Sequence, residues 1–112
     1  MVECGQHFRQ SAADLATEVT LRFLAHFGLI ERDPVPAPGP QRRFELLQTH
    51  VIQSEDFRFV RPLIGFETFA KGALIATNGP DEIRAPCDDC TVFMPAQRVI
   101  VGREAVYLTK PL

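Results

Sequence analysis

Apolar residues fall in two different rhythms along this chain, one on each side of a proline-rich stretch. Before it, Ala12, Leu15, Ala16, Val19, Phe23, Leu24 and Phe27 recur at spacings of three and four. That spacing lines one face of an amphipathic helix. Ser11 with Asp14 three residues on reads as a capping-box start. Gly28 supplies the stop, since glycine takes positive φ without a Cβ clash. Upstream, Met1 to Cys4 is apolar apart from Glu3 and reads as the end of a strand.

From Glu31 to Gln41, Pro34, Pro36, Pro38 and Pro40 alternate around Gly39. Proline fixes φ and lacks an amide proton, so this segment is expected to be an extended, semi-rigid connector at ~3.1 Å per residue. Beyond it the rhythm becomes that of strands. Phe44, Leu46, Leu47, Val51 and Ile52 open a long run, followed by Phe57–Val60, Ala73–Thr77, Glu82–Ala85, Thr91–Met94, Arg98–Val101 and Glu104–Thr109. Turn residues bound each run: Arg-Pro, Lys-Gly, Asn-Gly-Pro-Asp, Ala-Pro, Met-Pro and Val-Gly-Arg. Many short strands with regular turns predict a small β-sandwich or barrel. The expected class is α+β, mainly β, with 1–30 carrying a strand end and a helix, 31–41 the linker, and 42–112 the β domain.

Composition narrows the function classes. The chain has 112 residues, 46% of them hydrophobic and 23% charged, enough for one modest core. The longest apolar run is four residues, against the ~20 a spanning helix needs. A net charge of −2 offers no basic surface for a phosphate backbone, so neither nucleic acid nor membrane is an expected partner. An odd number of cysteines with no apolar signal region predicts a cytoplasmic setting.

Candidate chemistry from spacing is thin. There is no His-Glu-x-x-His pair, no phosphate-cradling glycine loop and no Gly-x-Ser-x-Gly elbow. Cys87 and Cys90 form Cys-Asp-Asp-Cys. A zinc site there needs two more ligands, with Cys4, His7, His26 and His50 the candidates. A thioredoxin-like site needs a helix after the motif, but Thr-Val-Phe-Met-Pro reads as a strand. A turn with two incidental thiols is the expectation.

Two segments carry a resemblance. Val2-Glu3-Cys4-Gly5-Gln6-His7, with the helix ending Arg22-Phe23-Leu24-Ala25-His26-Phe27-Gly28-Leu29, resembles the Glu-x-Gly strand and helix of the succinylglutamate desuccinylase and aspartoacylase family. Downstream, Lys71-Gly72-Ala73-Leu74-Ile75-Ala76, Glu82-Ile83-Arg84-Ala85-Pro86 and Gly102-Arg103-Glu104-Ala105-Val106-Tyr107-Leu108 are similar to its C-terminal domain. The resemblance implies a zinc-dependent hydrolase, related to zinc carboxypeptidases, that removes an acyl group from an N-acyl amino acid. The family's zinc ligands, a His-x-x-Glu pair and a later His, precede the Glu-x-Gly strand. This chain is therefore expected to be a C-terminal portion that binds no zinc of its own and is inactive alone. Glu3 matches the catalytic glutamate, a carboxylate placed to take the proton of a metal-bound water. Tyr107 matches a tyrosine facing the substrate cleft, where a phenol can donate a hydrogen bond to a carboxylate or oxyanion. Glu104 and His7 are expected beside the same pocket. Arg61 and Arg84 read as solvated side chains. The alternative is a free-standing β binding module, although Lys71 lacks the flanking pattern of a lipoyl-type lysine. With its catalytic partner domain missing, the helix stripe is expected to drive self-association.

Overall fold

The computed structural model describes residues 4–5, 8–33 and 39–112. The chain divides into two compact units, Met1–Gly39 and Pro40–Leu112, so the division falls inside the proline-rich stretch. Residues 34–38 of that stretch, and the expected strand end at 1–3, lie outside the described residues.

The first unit holds helix α1, Gln10–His26. It begins earlier than the capping-box reading placed it. The amides of Ala12 and Ala13 both bond to the Arg9 carbonyl, and Arg9 is the N-cap without a side-chain cap. Ser11 thus lies inside the first turn, and Asp14 accepts from the Gln10 side chain at 2.8 Å instead of reaching back to a cap. The other end follows the expectation. Gly28 takes φ +68°, its amide bonds to the Ala25 carbonyl, and the Leu29 amide bonds to the Leu24 carbonyl. This pair of bonds closes the helix in the way a left-handed glycine permits. Glu18 bonds to Arg22 one turn on and to Arg32 beyond the helix, at 2.7 and 2.6 Å. Hydrogen bonds from Arg32 first and Arg22 second hold its carboxyl below the usual range. None of the helical residues is buried, and Phe23 and Phe27 stay 59% and 61% exposed.

The second unit is antiparallel β. Its strands are β1 (Phe44–Val51), β2 (Arg58–Phe59), β3 (Thr68–Phe69), β4 (Leu74–Asn78), β5 (Asp81–Arg84), β6 (Cys90–Phe93) and β7 (Glu104–Pro111). One sheet runs β1-β7-β6-β3 and the other β2-β4-β5. Ile75 and Ile83 from the smaller sheet share one core with Val92, Val106 and Leu108 from the larger. Fully burying side chains of this size is worth ~1.5–3 kcal/mol each, which is what holds two short sheets together.

Asn78 adds a polar tie between the sheets. It is 6% exposed at the end of β4, and its Nδ2 donates to the Val51 carbonyl at the end of β1 at 2.9 Å. Its Oδ1 accepts from the Gln53 amide at 2.8 Å. The following Gly79 sits at φ +65°, and a Cβ there would meet the Ser54 Cβ at 3.2 Å.

Two details depart from the sequence pattern. Arg98–Val101, read as a strand, is irregular, and Val99, Ile100 and Val101 are exposed. It pairs with none of the seven strands and runs instead as the loop leading into β7. The segment closes in a turn, with the Arg103 amide bonded to the Ile100 carbonyl. Conversely Thr68–Phe69 forms β3 through pairing with Thr91 and Cys90, a contact that no local pattern announces.

Candidate functional site

The catalytic and binding candidates Glu3 and His7 lie outside the described residues. The other two, Glu104 and Tyr107, are both on β7, three residues apart. On a regular strand that spacing puts them on opposite faces. A β-bulge corrects it: Val51 faces Glu104 and His50 faces Val106, so Ala105 has no partner on β1. The extra residue shifts the alternation by one. Ala105 and Val106 are consecutively buried, while Glu104 and Tyr107 turn to the same, outer side. There the Glu104 carboxylate accepts a hydrogen bond from the phenol and, with partial desolvation and its charge, raises the Tyr107 pKa above the usual phenol value. At neutral pH Tyr107 is a fixed, protonated donor.

Tyr107 stands in a cross-strand row with Thr49 on β1 and Phe93 on β6. Phe93 continues the row into an aromatic cluster, its ring 4.9 Å from Phe44 and 4.6 Å from Phe66. The Arg42 guanidinium lies 5.0 Å over Phe44. Phe66 and the neighbouring Met94 both take positive φ, +70° and +49°, conformations that cost a side chain energy. Phe66 and Glu67 both bond to Val92, a second bulge in the same sheet. Glu67 fixes this corner by accepting from the Ile64 and Gly65 amides at 2.8 and 2.9 Å. Burial works to raise its pKa, but the backbone amides and Arg61 outweigh it, and the carboxyl sits low. The result is an apolar outer face with one phenol–carboxylate pair set in it.

A groove of 460 Å³ lies elsewhere on this unit, lined by Phe59 to Leu63 with Ala96 and Gln97. It shares Phe59, Ala96 and Gln97 with a smaller hollow reaching Arg58 and Arg98. Gln97 holds the loop by donating to the Leu63 and Pro95 carbonyls at 3.2 and 3.0 Å. Arg61 stacks over Phe69 at 5.3 Å, and among the described residues no ion pair engages Arg58, Arg61 or Arg98. Arg61 in the groove, and Arg58 with Arg98 in the adjoining hollow, are cations of the kind that bind a carboxylate. Sequence reasoning passed over Arg61, because its neighbours in the groove come from a loop 34 or more positions away. Arg84 is different: it pairs with Glu82 at 2.7 Å and donates to the Gly72 carbonyl, a structural role. His50 lines a separate cleft of 390 Å³ and bonds to Gln48 at 3.1 Å. Burial pushes its pKa down, so it is neutral at pH 7.

Among the described residues no three His, Cys, Asp or Glu side chains converge on a point that could hold a metal ion. None of the described helices is long and apolar enough to cross a membrane.

No family model and no curated protein matches the chain. Among solved structures, the succinylglutamate desuccinylase of Vibrio parahaemolyticus superposes with a TM-score of 0.69 at 22% identity, over 96% of this chain. The fold is shared with a desuccinylase. The match takes in 32% of the desuccinylase chain, so this protein spans about a third of its length. Both the segment before the linker and the β unit fall within that match, and the resemblance read from their sequences is therefore matched by the desuccinylase in backbone shape.

Proposed function

We propose that this chain is the C-terminal portion of a hydrolase that removes an acyl group from an N-acyl amino acid, with the β unit bordering the substrate channel. One observation carries the reading: nearly the whole chain superposes on about a third of a succinylglutamate desuccinylase. In this reading the Tyr107 phenol turns its one proton from Glu104 to a carboxylate or acyl oxygen of the substrate when that binds. Arg61, stacked over Phe69, offers a second contact for an amino-acid carboxylate. Glu3 is the proton acceptor of the intact enzyme. Among the described residues no side chains converge to hold a zinc ion, so in this reading residues of the rest of the enzyme would hold it. The location is cytoplasmic. The exposed stripe of α1, which in the parent enzyme is covered by the catalytic sheet, pairs two copies of the isolated chain.

The test is the coding sequence upstream of Met1, followed by assay of the protein it specifies. The expected frame carries a His-x-x-Glu pair and a later His. Its product hydrolyses N-succinylglutamate, N-acetylaspartate or a related N-acyl amino acid. A stop codon in frame directly upstream, with binding but no hydrolysis of such compounds, turns the reading over to a free-standing binding module.

A further inference from the structure

The sequence left Cys87 and Cys90 as two thiols in a turn. The structure brings them together. Cys90, the first residue of β6, is completely enclosed in the core, and Cys87 packs against that core from its partly exposed edge. Between them Asp88 and Asp89 form a turn, with Asp89 at φ +53°, so the two cysteines stand at the two ends of one tight turn. Asp88 ties the turn from the other side, its Oδ1 accepting from the Lys71 amide at 3.0 Å. Burial first, then the charge and hydrogen bonding of Cys87, push the Cys90 thiol up to about 11. Among the described residues no third metal-ligating side chain converges on the pair.

We propose that Cys87 and Cys90 are a redox-active dithiol, converted by a low-molecular-weight disulfide of the glutathione type into an intrachain disulfide that staples the turn between β5 and β6. The exposures set the order of events. Cys87, the accessible member, attacks as thiolate one sulfur of the oxidant. That S–S bond breaks, a mixed disulfide forms on Cys87, and one glutathione leaves as its thiolate and takes up a proton. Local opening of the turn then brings the enclosed Cys90 to solvent, where it loses its proton; its sulfur attacks the Cys87 sulfur, and the second glutathione leaves as its thiolate and takes up a proton. Two protein thiols are oxidised and one glutathione disulfide is reduced to two thiols, so electrons balance. Nucleophilic attack needs the thiolate. A thiol titrating near 11 is almost wholly protonated at neutral pH, so closure of the ring is the slow step and quickens about tenfold per pH unit below that value.

The experiment uses the full chain with Cys4→Ser, exposed to oxidised glutathione, acid-quenched at intervals, alkylated and mapped by mass spectrometry. An early glutathione adduct on Cys87 is expected. It gives way to a Cys87–Cys90 linked peptide that alkylating reagent no longer touches. In Cys90→Ser the Cys87 adduct persists, and in Cys87→Ser the buried Cys90 stays unmodified. If a variant fails to fold, the pH dependence in the Cys4→Ser chain decides alone: linkage should accelerate about tenfold per unit between about pH 7 and 9. Both thiols remaining open to alkylation after long oxidation overturns the proposal. So does a Cys87 adduct that never resolves, or a closure rate indifferent to pH.

Discussion

Asn78 is where the β unit can be tested most sharply. Asn78→Ala removes the donor to the Val51 carbonyl and the acceptor for the Gln53 amide, leaving two backbone groups without their partner. A net hydrogen bond is worth about 1 kcal/mol, and a buried polar group left orphaned costs ~1–3 kcal/mol. Val51 and Gln53 are exposed residues, so water relieves part of the loss and the low end applies. The sum is about 2 kcal/mol. A domain of this size is stable by only ~4–10 kcal/mol, so the variant should lose a fifth to a half of its stability.

Tyr107 is the only tyrosine and there is no tryptophan, so intrinsic fluorescence reports the β unit and ignores the helix. In urea, with a slope near 1–1.5 kcal/mol/M, the midpoint should fall by roughly 1–2 M at unchanged slope. Asn78→Asp sharpens the test. At neutral pH the carboxylate keeps the acceptor but faces the Val51 carbonyl with no proton to give. In acid the neutral carboxyl regains a donor, so the defect should shrink as pH falls. A loss below about 0.5 kcal/mol for Asn78→Ala, or an Asp defect that ignores pH, refutes the idea that this amide joins the sheets.

Further outcomes follow from the same geometry. Glu104→Gln removes the charge that keeps the phenol protonated, so the ultraviolet titration of Tyr107 should move to lower pH; an unmoved curve means the two side chains do not interact. His50 is held neutral by burial, so the unfolded chain takes up that proton first as pH falls, stability drops from about pH 7 towards 5, and His50→Gln should flatten the drop in urea midpoints. Gly79→Ala imposes a Cβ on a left-handed residue crowded by Ser54, and should cost ~1–2 kcal/mol in the same unfolding assay. Val19→Glu places a charge in the α1 stripe, and sedimentation at low micromolar concentration should shift from dimer to monomer; a wild-type chain that is monomeric throughout removes the basis for pairing through the helix.

What could be read from the sequence was whatever depends on near neighbours. The helix followed from its spacing of three and four, and its stop from Gly28, because both are settled within one turn of chain. The β runs were legible where apolar residues met turn residues. What escaped was decided by partners distant in sequence. Arg98–Val101 has strand composition but pairs with no strand, and Thr68–Phe69 has no strand signature but finds β6. Ser11 lost the cap because the first turn closed on Arg9. The arginine-bordered groove is assembled from a strand and a loop that no spacing rule connects. Glu104 and Tyr107 were named from a resemblance, but the reason they can work together, one unpaired residue between them, belongs to the register with β1.

That unpaired residue also sets which mutations can create or abolish the pair. Substituting Ala105 changes a side chain and leaves both partners facing the same way. Deleting it removes the bulge and leaves Glu104 and Tyr107 two positions apart on a regular strand, so both still face outward. Ribbon β1–β7 has a second irregularity at Leu47, on the opposite strand. It lies beyond Tyr107 and leaves the spacing of the pair untouched. One residue inserted in β1 between His50 and Val51 would give Ala105 a partner, restore alternation across a spacing of three, and turn Glu104 and Tyr107 to opposite faces. In this strand pair, then, the phenol–carboxylate pair survives a loss from β7 and is abolished by a gain in β1.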